Sequence, residues 1–115
     1  MKIKEFANRV GVSESAIRYY ERIGVLHSIG RLKNGYREFD EDDVRWMEFV
    51  NRLRVTGMSM ENIVEYARLR EQGESSIADR LRILESHEAK IVHEMAENEL
   101  HLQRLREKIL HYKKS

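Results

Sequence analysis

Apolar positions at the start of the chain recur at helical spacing with one interruption. Phe6, Ala7 and Val10 share a face, Gly11 breaks the pattern, Ser13 stands where an N-cap is wanted, and Ile17 and Tyr20 resume an apolar face. This spacing predicts two short helices across a tight turn. The small Ala7 lets the second helix cross the first closely, and Gly11 can take the left-handed turn conformation that bulkier residues resist. The arrangement is that of a helix-turn-helix. With Ile17 and Tyr20 inward, Ser13, Glu14, Ser15, Arg18 and Tyr19 are left on the outer face, near the start of the second helix.

Gly24 is expected to stop that helix. The run IGRLKNGYREF follows, in which Asn34 and Gly35 form a strong tight-turn signal between strand-like flanks, so a β-hairpin wing is expected with Tyr36 and Phe39 turned toward the core. Asp40 then caps a third helix, and the acidic EDD after it suits the positive end of the helix dipole, so this acid run calls for no metal. Val44, Met47, Val50 and Val55, with Trp46, Phe49 and Leu53 beside them, give an apolar face wide enough to join a core. Gly57 ends that helix, and Ser59 caps a fourth carrying Met60, Ile63, Val64, Tyr66 and Ala67 before Gly73.

From residue 77 the pattern narrows. Ile77, Leu81, Leu84, Glu88, Ile91, Met95, Asn98, Leu102, Leu105, Ile109 and Tyr112 alternate in steps of four and three, and nine of the eleven are apolar. As a helix this run is about 54 Å long, and so narrow a stripe must be buried against a second helix. Another copy of the chain is the obvious supplier, which makes these eleven residues the candidate dimer interface. Heptads alone leave parallel and antiparallel pairing open. In an antiparallel register centred on position 93, Glu88 meets Asn98, Ile91 meets Met95, Leu84 meets Leu102, Leu81 meets Leu105 and Ile77 meets Ile109. The two polar residues then share one layer, although Glu85 and Glu99 are also brought close. His87 and His101 occupy the same flank and are expected in solvent, since two histidines make a thin metal site.

Composition removes several functional classes. The chain has 115 residues with no Pro and six Gly, which favours helix over an all-β fold and gives at most one compact unit with an extension. No Cys means no disulfide, thiolate metal site or thiol redox chemistry in this chain. No apolar run approaches a membrane span and the N-terminus MKIKEF has no signal-like apolar region, so a soluble cytoplasmic protein without membrane contact is expected. The formal net charge is only +1, but residues 1–40 carry eight bases against five acids, whereas residues 74–115 carry eight of each. An anion-facing head on a solvated helical stem fits that distribution; ordinary surface charge is the plainer reading.

On the head, Arg18 suits a guanine edge or a phosphate, the Ser13 and Ser15 hydroxyls suit phosphates, and Tyr19 offers a ring and a hydroxyl. Arg31, Lys33 and Arg37 surround the hairpin turn and add positive charge beside the outer face of the second helix. A protein-binding helical hairpin with incidental bases is the alternative.

The run GVSESAIRYYERIGVL, the segment GYREF, the stretch DEDDVRWMEFVNRLRVTGMSMENI and a terminal long helix together resemble the MerR family of bacterial transcription regulators. The resemblance covers essentially the whole chain. It implies a mainly α fold, with a winged helix-turn-helix head over residues 1–73 and a coiled-coil dimerisation helix over residues 74–115. It also implies antiparallel pairing of that helix, and activation by distorting a promoter with an over-long spacer where RNA polymerase is bound. Arg54 matches a basic position that contacts phosphate in the family, although a plain solvent-exposed Arg reads equally well. Tyr20 is functional by its motif position and core by its helical phase. In the aldehyde- or thiol-stress-responsive branch a Cys often occupies the place held here by Arg52, so a direct cysteine switch is not expected.

The expected function is therefore a homodimeric, sequence-specific regulator of double-stranded DNA. Its DNA-binding candidates are Ser13, Ser15, Arg18, Tyr19, Tyr20, Tyr36, Arg37 and Arg54. No cofactor or metal is expected. With only Lys113, Lys114 and Ser115 after the seam, no separate ligand-binding domain is expected, and any small-molecule effector should bind near the dimer interface or the head-stem junction. A coiled-coil adaptor is the competing class. An enzyme has little support: there is no Ser-His-Asp signature, no phosphate-cradling glycine loop and no metal-ligand cluster.

Overall fold

A computed structural model of the chain describes residues 1–27 and 38–115. The expected hairpin wing, with Arg31, Lys33, Asn34, Gly35, Tyr36 and Arg37, lies outside the described residues. The order of elements is α1 (Ile3–Val10), α2 (Glu14–Arg22), α3 (Glu41–Val55), α4 (Met60–Glu71), a 3-10 turn (Gly73–Ser76) and α5 (Ile77–Lys113). The described residues are mostly helical. They separate into two compact units, Met1–Arg80 and Leu81–Ser115.

Each helix boundary in the first unit has a local cause. Gly11 takes a left-handed conformation at φ 69°, and its N–H reaches the Ala7 carbonyl at 2.9 Å, closing α1. Ser13 caps α2 by accepting from the Ala16 N–H at 3.1 Å. Asp40 and Asp43 form a reciprocal capping box at the start of α3, with both bonds at 2.9 Å. The backbone bond from Asp43 holds the Asp40 carboxyl below its ordinary range, while burial raises that of Asp43. Ser59 caps α4 by accepting from the Asn62 N–H at 3.1 Å.

The core of this unit assembles the predicted apolar faces. Phe6, Ile17, Met47, Val50 and Ile63 are fully buried, each worth about 1.5–3 kcal/mol of transfer free energy. Phe6 of α1 stacks on Phe39 at 4.2 Å between ring centroids, and the Phe39 N–H donates to the Met1 carbonyl at 2.7 Å. The segment leading into α3 is thereby fastened to the chain's start. Arg9 of α1 adds a two-pronged pair with Glu41 of α3, at 3.0 and 2.7 Å. The Trp46 indole N–H donates to the Val25 carbonyl at 2.8 Å, satisfying a buried donor.

Two positions depart from the expected pattern. Val55, placed on the apolar face of α3, is 72% exposed. It is the last residue of the helix, beyond the stretch that α4 packs against through Leu53 and Met58, so correct phase alone does not bury it. His87, expected in solvent, is buried at 9% exposure. It lies three residues after Leu84 and four before Ile91, both half-buried, so the protected stripe here runs 84, 87, 91, and the expected seam residue Glu88 is exposed. His101 is exposed.

The second unit is the body of α5, a 37-residue helix about 55 Å long. Within one chain its seam is uncovered. Leu84 and Ile91 are half-buried, whereas Ile77, Leu81, Met95, Leu102, Leu105, Ile109 and Tyr112 are all exposed, as are Glu88 and Asn98. Val92, Leu100 and Leu110 add exposed apolar surface outside the seam.

Candidate nucleic-acid interface

The outer face of α2 is built by its inner one. Ile17 is fully buried and Tyr20 is 5% exposed, so the helical phase turns Ser15, Arg18 and Tyr19 outward together. Tyr20 therefore sits in the core of the head, where its backbone carbonyl also accepts from the N–H groups of Val25 and Leu26 at 2.8 and 3.1 Å. Little of the residue reaches the surface.

At the start of the helix, the Ser13 and Ser15 hydroxyl oxygens lie 3.2 Å apart. The Ser13 oxygen accepts the capping bond, so its own O–H remains a donor beside the free N–H groups of the first turn. Arg18 is exposed and lies 3.8 Å from Glu14 one turn earlier, a surface pair that contributes little and releases the guanidinium easily. Tyr19 is 42% exposed, and the guanidinium of Arg22 lies over its ring at 5.5 Å. Arg22 was missed as a contact candidate; its spacing of three from Tyr19 is the sequence signal that places both on one face.

The remaining candidates stand elsewhere. Arg54 is exposed on the last turn of α3, and among the described residues no carboxylate pairs with it. Tyr36 and Arg37 lie outside the described residues. Arg52 is exposed. Among the described residues no group of three or more His, Asp or Glu is placed to hold a metal ion, and no helix is long and apolar enough to cross a membrane.

The arrangement presents hydroxyls, helix N–H groups, two guanidiniums and an aromatic ring along one exposed helix. Those groups suit phosphates and base edges. The sequence matches the family described as "MerR HTH family regulatory protein" over residues 1–69, and the one described as "MerR, DNA binding" over residues 44–112. Among curated proteins it is 33% identical over 92 residues to the HTH-type transcriptional regulator AdhR of Bacillus subtilis, covering 80% of this chain and 66% of that protein. Among solved structures, one described as a putative MerR family transcriptional regulator of Listeria monocytogenes superimposes with a TM-score of 0.91 at 34% identity, covering 98% of this chain and 86% of that one. Another, HiNmlR, described as a MerR family regulator lacking the sensor domain and bound to promoter DNA, gives 0.87 at 29% identity, covering 98% and 90%.

Proposed function

The chain belongs to the MerR family of helix-turn-helix regulators, and from that premise we propose that it is a sequence-specific transcription regulator acting on promoter DNA as a homodimer. The observation that carries the reading is the outer face of α2, where Ser13, Ser15, Arg18 and Tyr19 are exposed on a helix whose opposite face is locked into the core. The second helix of such a motif enters the major groove with its N-terminal residues toward the bases. Arg18 then reads a guanine edge or grips a phosphate, Ser13 and Ser15 hold phosphate oxygens, and Tyr19 packs against the strand. Arg22 and Arg54 add phosphate contacts, and Tyr36 and Arg37 contribute from the wing.

Dimerisation follows from α5. Its exposed Leu, Ile and Met residues form a narrow apolar stripe that a second copy covers in an antiparallel pair centred on position 93. A two-fold dimer reads an inverted repeat, with its half-sites on one face of the duplex. In this reading the protein works in the bacterial cytoplasm, distorts a promoter with an over-long spacer to suit RNA polymerase, and has no catalytic activity.

Selection of bound sequences from random duplexes, with the molar mass of the purified protein measured in parallel, tests the proposal. Enrichment of an inverted repeat by a dimer is the expected result. A dimer that enriches no sequence, and whose duplex binding does not weaken with salt, overturns it in favour of a coiled-coil adaptor.

A further inference from the structure

Three aromatic rings of the first unit meet where α3 packs against α4. Trp46 and Tyr66 stack at 5.9 Å between centroids with 14° between their planes, and Phe49 leans on both at 6.2 and 5.7 Å. They line a groove of about 430 Å³, which is the size of a small-molecule site. Asp42, Arg45, Arg70 and Arg80 complete its wall, three cations against one anion.

Among the described residues, only one of those cations is in a salt bridge. Arg45 pairs with Asp42. Arg70 lies over the Trp46 ring at 4.3 Å and feels the Asp43 carboxylate without forming a salt bridge to it. Arg80 donates from Nε to the Ser76 hydroxyl at 3.0 Å and from Nη2 to the Gly73 carbonyl at 2.9 Å. Ser76 is itself buried, and its single O–H is shared between the Gly73 and Leu69 carbonyls, which fixes the acceptor in place. Two guanidiniums are therefore oriented by a ring, a hydroxyl and a carbonyl, none of which cancels their charge. A planar guanidinium held ready beside apolar rings matches a carboxylate that is itself attached to a flat apolar body. A second copy's α5 seam, apolar at nine of eleven positions with Glu88 as its one acid, would offer these two charges at most one carboxylate.

We propose that this groove binds a small aromatic or heteroaromatic carboxylate, with its ring against Phe49, the half-buried ring of the lining, and its carboxylate facing Arg70 and Arg80. Resting on the regulator reading above, this ligand is the effector. The site lies within Met1–Arg80, and since Arg80 belongs to the first turn of α5 it adjoins the head-stem junction, one of the two places where an effector is expected from the sequence.

Trp46 is the only tryptophan in the chain, so its emission reports on the groove directly. The test titrates the full-length protein with benzoate, benzamide and acetate, following Trp46 emission and, independently, the heat of binding. Benzoate is expected to give a saturable response, with benzamide and acetate at least about tenfold weaker, the loss expected when a charge-assisted hydrogen bond or the ring contact is removed. Arg70→Gln should weaken benzoate by a similar factor while keeping the helical circular dichroism. Should Arg70→Gln fail to fold, Phe49→Leu at the half-buried edge of the groove serves instead, with weakened benzoate binding expected. Equal affinity for benzamide, unchanged benzoate binding in a folded variant, or no saturable response overturns the proposal. So does Trp46 emission that follows protein concentration and ignores benzoate, which would place a second copy in the groove. Duplex selection on the same preparation keeps the two readings apart. Duplex binding without a benzoate response removes the groove proposal alone, and the reverse result removes the regulator reading alone.

Discussion

Replacing Gly11 with alanine probes the turn that sets α2 at its angle to α1. The residue sits at φ 69°, and a Cβ built on it meets nothing within 4 Å, so the substitution adds no clash. What it adds is the left-handed backbone cost of an L-residue, about 1–2 kcal/mol. Alanine also removes conformational freedom from the unfolded chain, which returns about 0.4–1 kcal/mol. The net expectation is a loss of about 1 kcal/mol, or about 4 °C in Tm for a chain of this size. Gly11→Asn, whose side chain tolerates the left-handed region, should lose less than Gly11→Ala. Urea unfolding at one fixed protein concentration measures the difference, because the proposed dimerisation would make apparent stability concentration-dependent. Alanine as stable as glycine would show that the turn does not need its positive φ. A loss of about 3 kcal/mol or more would require a steric clash that the open space around the glycine denies.

Three further outcomes are expected. Arg18→Ala should weaken binding to the selected operator strongly while leaving the molar mass of the dimer unchanged; an unaltered gel shift would remove Arg18 from the contact set. Hydrogen bonds from Arg9 hold the Glu41 carboxyl below its ordinary value of 4.5, so its contribution to stability is present above that value and is lost as pH falls through the lower folded one. The Tm difference between the protein and Glu41→Gln should therefore be largest near neutral pH and shrink in acid, and a constant difference between about pH 7 and about pH 3 would contradict it. Chains carrying Ile91→Cys, mixed with chains carrying Met95→Cys, should cross-link to one another efficiently; efficient linking only at positions one heptad away would exclude an antiparallel pair centred on position 93.

The caps were legible because they are local. Ser13, Asp40 and Ser59 each stand three residues before the N–H they accept from, so sequence spacing contains the whole interaction. Helical phase likewise separated Ile17 and Tyr20 from Arg18 and Tyr19. Phase failed at Val55, where the helix outruns its packing partner, and at His87, where the protected stripe shifts by one residue from the heptad seam. Neither departure leaves a mark in composition. At Val55 the cause is what lies opposite the helix rather than the helix itself.

The sequence alone thus determined the helices, their ends, the exposed face of α2 and the uncovered stripe of α5, since each rests on contacts within a few residues or on a repeating period. Tertiary structure decided what distant segments make together. The stack of Phe6 on Phe39 and the pairing of Arg9 with Glu41 join positions more than thirty residues apart. The groove of Trp46, Phe49 and Tyr66, with Arg70 and Arg80 on its wall, exists only because α3 and α4 lie side by side and the turn after α4 carries Arg80 back. No periodicity encodes such a meeting, because the distance between side chains on different helices is set by packing and not by their separation along the chain.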